Sequence, residues 1–348
     1  MLILVLNSGS SSIKYKLFDI SHTCENLLDK GIVERIGQSV PGHREALAMI
    51  MEKLQTRIDA VGHRVVHGGR FKEATIVNSE VIKEISRFSE AVPLHNPAAI
   101  LTITESMKLL SSVPHVTVFD TAFYQTMPDY AYLYAVPYKY HEKYRVRKYG
   151  FHGTSHRYLT MQAARVLKKS INRVNLVTCH LGNGCSITAV ENGRAIDTSM
   201  GFTPLEGLIM GTRSGDIDPA IIPYIMKKED MDINTAMEML NKKSGLLGIS
   251  GISNDMREII KSARSSKRAR LALDMFIYRV KKYIAAYVGI LKRVDAVVFT
   301  GGIGENQPDL MREACRGIAP KNSKTLIIPT DEELIIARDT FTVVKARP

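Results

Sequence analysis

Two arginines in this chain lie among glycines, a setting in which a guanidinium can grip an anion at close range. Arg64 falls in Asp59-Ala60-Val61-Gly62-His63-Arg64-Val65-Val66-His67-Gly68-Gly69-Arg70, which reads as a strand ending in a double glycine that lets backbone approach a ligand. Arg213 falls in Gly207-Leu208-Ile209-Met210-Gly211-Thr212-Arg213-Ser214-Gly215-Asp216. Asp120 follows the strand-like run Val116-Thr117-Val118-Phe119, at the carboxyl end where ligands gather in open α/β sheets. Two turns of small residues, Asn7-Ser8-Gly9-Ser10-Ser11-Ser12 and His180-Leu181-Gly182-Asn183-Gly184-Cys185-Ser186, expose backbone N–H groups and carry little bulk to keep a phosphate away. Lys14 can reach back over the first of them. The chemistry on offer is the binding of phosphate and other small anions.

Singly, each feature also has an ordinary reading. Most arginines are solvated or paired at the surface, Asp120 can cap the next turn, and a serine-rich hairpin is commonplace. His63 with His67, and His152 with His156, are spaced four apart as metal pairs are, but no Glu stands at the metalloprotease position, so local hydrogen bonding is the better reading. The turns are not of the Walker type, because each opens a strand and not a helix. The inference rests on the constellation.

The elements that must position these groups are legible as patterns. Leu2-Ile3-Leu4-Val5-Leu6 is an apolar run sized for a strand buried on both faces, and Ile13, Tyr15 and Leu17 alternating with Lys14 and Lys16 begin a second strand. The pattern returns half a chain later, as Leu176-Val177-Thr178-Cys179, the second turn, and Ile187-Thr188-Ala189-Val190. Gly9 and Gly182 are placed alike, which points to a duplicated domain with a phosphate turn in each half and a nucleotide between them. Helical spacing is read over 44–54, 81–88, 98–110 and 271–291, with a helix from the Gly150 loop through Leu167. Residues 31–42 read as turn-rich. Asp218-Pro219 reads as a helix start and Asn254-Asp255-Met256-Arg257 as another. Gly301-Gly302-Ile303-Gly304-Glu305-Asn306 is a third glycine-rich turn after a strand, without the full dinucleotide spacing.

A chain of 348 residues with 45% hydrophobic and 24% charged content suits a soluble protein of two domains. The net charge of +12 implies anionic partners without choosing among them. Cys24, Cys179, Cys185 and Cys315 have neither a Cys-x-x-Cys pair nor zinc spacing and read as reduced thiols of a cytoplasmic protein. The N-terminal apolar run lacks a basic leader and a cleavage site, and no segment offers the ~20 apolar residues of a transmembrane helix.

Eight pieces in order resemble the acetate kinase family, within the superfamily of acetate and sugar kinases, Hsp70 and actin. They are 6–14 (LNSGSSSIK), 63–69 (HRVVHGG), 93–97 (PLHNP), 119–123 (FDTAF), 152–156 (HGTSH), 180–184 (HLGNG), 210–216 (MGTRSGD) and 301–306 (GGIGEN). The resemblance covers nearly the whole chain. It implies an α/β fold of duplicated RNase H-like (actin-like ATPase) domains with a nucleotide cleft between them. Residues 1–124 with 334–348 would form the carboxylate and phosphoryl side, and 125–333 the nucleotide-binding domain. The implied reaction moves the γ-phosphoryl group of ATP directly to acetate, giving acetyl phosphate and ADP, and runs in both directions. Propionate or butyrate kinase is the neighbouring alternative, and a non-catalytic ATP-binding switch is the alternative from another class.

Such a transfer needs positioning and neutralisation of charge more than covalent help. Carried over residue by residue, the family's pattern has Arg64 grip the carboxylate, Arg213 and His152 stabilise the moving phosphoryl, and Asp120 orient the site as the usual catalytic acid residue. His95 lines the substrate pocket, and Val66, Leu94, Phe151 and Pro204 form its apolar wall. Lys14, the turn His180, Leu181, Gly182, Asn183 and Gly184, then Asp255, Met256 and Arg257, and finally Gly302, Ile303, Gly304, Glu305 and Asn306, match ATP-contacting segments. Asn7 and Glu332 match the positions for Mg²⁺, with Mn²⁺ as an alternative, and hard oxygen ligands suit that ion. The resemblance further implies a homodimer. The basic stretches 261–270 and 138–149 read as solvated faces and an electropositive funnel for ATP and carboxylate, so neither nucleic acid nor membrane is an expected partner.

The chain departs from the family's pattern at Tyr124, where His is usual, at Arg70, where Glu is common, and at Cys185, a usual glycine. It is also shorter, with residues missing between Lys30 and Asp59 and between Asn306 and Leu326. The trimmed segments bear on ATP affinity and dimer contacts.

Overall fold

The run that opens the chain becomes β1 (Leu2–Ser8), the strand next to which both halves of the first sheet are built. The structure, a computed structural model, describes residues 1–93 and 95–346. The first sheet adds β2 (Ser12–Ile20), β3 (Glu25–Glu34), β4 (Ala60–Val65), β5 (Thr75–Ile76) and β6 (His115–Phe119), in the order β3-β2-β1-β4-β6-β5. β1, β2 and β3 form an antiparallel meander, β4 and β6 run parallel to β1, and β5 pairs antiparallel with β6.

The side-chain period of two decides what each face of β1 meets. Leu4 and Leu6 join Ile13, Tyr15, Leu17 and Val61 in a core with Ala46, Leu47 and Ile50 of the helix His43–Leu54. Ile3 and Val5 join Phe18, Ala60, Val116 and Val118 in a second core, closed by Ile336, Ala337 and Phe341 of the last helix, Glu332–Lys345. The end of the chain thus covers the sheet that its beginning starts.

The second sheet comprises β7 (Leu176–Leu181), β8 (Cys185–Glu191), β9 (Arg194–Thr198), β10 (Ala296–Thr300) and β11 (Lys324–Ile327), in the order β11-β10-β7-β8-β9. β7, β8 and β9 are antiparallel neighbours, while β10 and β11 run parallel to β7. Strand order and directions repeat those of β1, β2, β3, β4 and β6. The molecule is therefore a duplicated α/β protein of RNase H-like units. The helix Lys267–Ile290 buries Leu273, Phe276, Val280, Ile284 and Tyr287, a stripe at helical spacing, and is capped by Ser266, whose side chain accepts from Ala269 N.

The chain divides into two compact units. One comprises 1–125, 151–154 and the segment from Asp331 onward, and the other 126–150 and 155–330. No helix among the described residues is long and apolar enough to cross a membrane.

Several local expectations are corrected. The turn-rich reading of 31–42 misses β3, which runs to Glu34 and pairs with β2 from Ser12↔Glu34 to Ile20↔Glu25. Its residues are mostly exposed, so no buried alternation marks it. Gly301–Asn306 is a short helix and not a turn, with the Glu305 side chain accepting from Gly301 N and Thr300 Oγ1, both at 2.9 Å. Asp218 caps a turn by accepting from Ala220 N at 2.9 Å, and the helix itself starts only at Ile221. Apart from those expectations, two short helices form at Asp129–Tyr132 and Lys139–Tyr144.

Candidate active site

In the first unit, the parallel pairing of β4 with β6 sets Arg64 opposite Val118, so that its side chain reaches Asp120 just past the strand end. Arg64 Nη2 donates to Asp120 Oδ2 at 2.8 Å and Nε to Oδ1 at 3.4 Å. Its Nη1 pairs with Glu332 Oε2 at 2.9 Å. Three of the five N–H donors of the guanidinium are so occupied, which leaves two to offer an anion. Burial works to lower the pKa of Arg64, but the charges of Asp120 and Glu332 outweigh it and hold the side chain cationic. Glu332 is pushed up to about 7 by burial, against the pull of Arg64 and with further push from Asp120 and Glu333.

Asp120 is fully buried and accepts a further bond from Thr154 Oγ1 at 2.8 Å. Thr154 lies in the first turn of the helix Gly153–Val166, which follows directly on His152, whose φ of +58° lies in the left-handed region that non-glycine residues seldom adopt. Only a glycine fits next to it. A Cβ at Gly153 would lie 1.8 Å from the carbonyl oxygen of Asp120. The carbonyl of Phe151 accepts from the buried Tyr124 hydroxyl at 2.6 Å, and the Phe151 ring meets His67 edge-on at 5.8 Å. Val66 lies two residues after Arg64 and is half-buried. His95 stands at the start of the helix Asn96–Leu109, and Leu94 lies outside the described residues.

The last helix begins with three acids, each assigned to a different task. Asp331 caps the helix through Leu334 N at 3.0 Å and pairs with Lys16 at 2.8 Å. Glu332 faces Arg64. Glu333 pairs with Lys16 at 3.2 Å and accepts from Asn7 Nδ2 at 3.3 Å. Two cations, Arg64 and Lys16, thus meet four carboxylates, with the exposed Lys14 adding its charge toward Glu332. Excess negative charge and oxygen donors suit a hard divalent cation. The amide of Asn7 turns its nitrogen to Glu333, and its oxygen is the donor a metal would take. No cluster of three or more His, Cys, Asp or Glu arranged to hold a metal occurs among the described residues. Mg²⁺ does not require one, since it keeps most of its waters and takes phosphate oxygens with one or two protein ligands.

In the second unit, three glycine-bearing segments meet. The hairpin turn between β7 and β8 closes with Gly182 N donating to Gly184 O at 3.0 Å and Cys185 Sγ to Gly182 O at 3.2 Å. Gly211 N donates to Asn183 O at 3.0 Å, and Asn254 Nδ2 to Asn183 Oδ1 at 3.0 Å. Gly301, at φ +81°, lies so close to Leu181 that a Cβ would come within 2.6 Å of its carbonyl oxygen. His180 meets Ser155 through Nδ1 and Oγ at 2.8 Å, and Ser155 donates to Thr330 at 3.0 Å. Leu181, Met256 and Ile303 are buried, so what they offer a ligand is backbone. Asp255 caps the helix Met256–Ser262 and binds the Arg257 guanidinium, and Asn306 Nδ2 donates back to Gly302 O.

Arg213 differs from Arg64. Its Nη1 reaches the carbonyl of Pro204 at 3.3 Å and the sulfur of Met210 at 3.8 Å, and no carboxylate among the described residues pairs with it. Burial lowers its pKa, partly opposed by Cys185. A partly buried cation with no counter-ion is costly unless an anion arrives.

The residues missed in the sequence are Gly153, Thr154, Lys16, Asp331 and Glu333. Thr154 and Gly153 lie inside the 152–156 motif, and the acidic run 331–333 is visible as composition. What each acid binds is not.

Comparison with known proteins bears on the whole chain. The Acetokinase family profile matches residues 2–45 and 38–322. An acetate kinase of Halothermothrix orenii is 49% identical over an alignment of 401 residues that covers 99% of this chain and 100% of that protein. The alignment is longer than the chain, as expected if the relative carries segments absent here. The crystal structure of Porphyromonas gingivalis acetate kinase superposes with a TM-score of 0.90 at 40% identity, covering 99% of both chains. A propionate kinase from Francisella tularensis superposes with a TM-score of 0.92 at 40% identity, over 98% of this chain and 99% of that one.

Proposed function

The chain belongs to the acetokinase family, and on that footing we propose that it catalyses reversible, Mg²⁺-dependent transfer of the γ-phosphoryl group of ATP to acetate. Family membership makes it a phosphotransferase with a carboxyl group as acceptor. Acetate as that acceptor, the metal and direct in-line transfer go further. The observation that carries the reading is Arg213, a partly buried guanidinium on a glycine-rich loop with no carboxylate among the described residues to neutralise it.

A carboxylate oxygen of acetate attacks the γ-phosphorus, the new O–P bond forms as the bond to the β,γ-bridging oxygen breaks, and ADP leaves with the electron pair. Acetate is ionised at neutral pH, so no general base is required. The two remaining N–H donors of Arg64 bind the acid anion, and Asp120 and Glu332 fix the plane of the guanidinium before substrate arrives. Arg213 and His152 neutralise charge on the equatorial oxygens. Asp120, bound to Arg64 and Thr154, acts as an orienting group. The turn at Gly182 and the segments at Gly302 and Asp255 would hold the nucleotide, and Lys14 its phosphates. Asn7 and Glu332 would hold Mg²⁺, which supplies charge neutralisation on the phosphate chain. The first unit would be the carboxylate side and the second the nucleotide side. The same reading takes the enzyme to be a cytoplasmic homodimer, and its four free thiols fit a reducing compartment.

Hydroxylamine trapping of acetyl phosphate in the presence of ATP and Mg²⁺, with and without acetate, tests the activity. Arg213→Ala is expected to lower turnover by about 10³ or more, in line with arginines that act on a transferring phosphoryl group. Near-normal turnover would remove its assigned role.

The likeness to a propionate kinase favours a second acceptor. One methylene in an apolar pocket changes kcat/KM by about 10- to 200-fold, so the ratio measured for acetate, propionate and butyrate separates the two readings.

A further inference from the structure

The loop that carries Arg213 is closed at its neck by its own ends. Gly207 N donates to Asp216 Oδ1 at 2.8 Å, and Asp216 N to Gly207 O at 3.0 Å. The other carboxylate oxygen of Asp216 accepts from Tyr283 Oη at 2.7 Å and from Arg279 Nη1 at 3.1 Å, and the same Nη1 reaches Gly207 O at 3.3 Å. Arg279 and Tyr283 stand one turn apart on the helix Lys267–Ile290, whose buried stripe anchors it in the core of the second unit.

Two features make this set more than surface decoration. Among the described residues the Arg213 side chain is held by Pro204 O and Met210 S, so its direction is set by the loop backbone. Beneath the loop lies a cavity of about 380 Å³ walled by Ile209, Ser214, Asp216, Met239, Met275 and Arg279. Packing does not fill that side. Between the two sides of the neck, Ser214 N bonds Leu240 O, Ser244 N bonds Thr212 O and Leu247 N bonds Gly211 O, each at 3.0 Å, and these hold the tip of the loop while Asp216 closes its base.

We propose that Asp216, Arg279 and Tyr283 form a clamp of positioning residues that aims Arg213 at the transferring phosphoryl group. The clamp rests on the role given to Arg213 above. Asp216 gathers the loop, and the helix supplies two fixed donors that stop the neck from opening into the cavity.

The test compares kcat and KM for ATP and acetate in Arg279→Ala, Tyr283→Phe and Arg279→Lys, alone and combined with Arg213→Ala, with far-UV circular dichroism and thermal melting on each. Arg279→Ala is expected to lower kcat on the order of 10-fold to 10²-fold, the scale of a misplaced catalytic group, with both KM values within about twofold. Arg279→Lys should restore part of the loss, because its ammonium still reaches Asp216. In the Arg213→Ala background, Arg279→Ala should cost less than about twofold more, since nothing remains to be aimed. Additive losses, or a folded Arg279→Ala enzyme at wild-type kcat, would overturn the clamp while leaving Arg213 in place. Wild-type turnover of Arg213→Ala would instead remove the reading beneath it. If Arg279→Ala does not fold, Tyr283→Phe decides: lower kcat at an unchanged melting temperature supports the clamp, and unchanged kcat overturns it.

Discussion

Gly153→Ala adds one methyl group at the point where the His152 turn touches the end of β6. Its Cβ would sit 1.8 Å from Asp120 O, 2.9 Å from Asp120 C and 3.1 Å from Phe123 Cβ. Two of these three atoms are backbone, so the strain cannot be relieved by rotating a side chain. To bring the closest contact to 3.0 Å the turn must retreat by about 1 Å, and a misplacement of that size near reacting groups costs about 10² in rate. The same retreat stretches the 2.8 Å bond from Thr154 to Asp120 and loosens the carboxylate that orients Arg64. The expected result is a fall in kcat of about 10² or more, a rise in KM for acetate, and an ATP KM near the wild-type value. Steady-state kinetics with both substrates varied would measure it. A circular-dichroism melt tests for a folded product, a suitable signal for a chain without tryptophan. A folded Gly153→Ala enzyme with wild-type kcat and acetate KM would refute the contact argument, because the turn would then tolerate a displacement that the geometry says it transmits to Asp120.

Lys16→Met removes the partner of both Asp331 and Glu333, and chemical denaturation should show a loss of about 1 to 3 kcal/mol, the cost of leaving partly buried carboxylates unpaired; an unchanged midpoint would contradict it. His63, His115 and His156 are buried with burial lowering the pKa of each below the ordinary 6.5. Their folded forms hold the neutral ring, so the stability they contribute is whole above pH 6.5 and is lost as the pH falls below it through the folded values. The urea midpoint should therefore drop between pH 7 and pH 5, and a midpoint flat across that window would count against it. Val66→Ala should widen the acceptor range, raising kcat/KM for propionate relative to acetate by about 10-fold, and an unchanged ratio would take Val66 out of the acceptor wall.

Much of this was legible one residue at a time. Runs such as Leu2–Leu6 and Leu176–Cys179, each followed by a turn of small residues, gave the repeat, and the observed sheets repeat strand order and direction. β3 was not legible because an exposed edge strand has no apolar alternation to display. The helix at Gly301 was not legible because its cap comes from Glu305, four residues further on, in a stretch whose glycines argue for a turn.

The sequence by itself determined the chemistry available: two arginines among glycines, an aspartate at a strand end, and two turns of small residues, all set by residue type and by spacing within a few positions. Tertiary structure decided their partners. Arg64 is locked to Asp120 and Glu332 because β4 and β6 pair in parallel and the last helix returns to cover the sheet, while no acid among the described residues pairs with Arg213. Which charges are neutralised and which stay open to a ligand depends on contacts between residues far apart in the chain, and local periodicity carries no record of those.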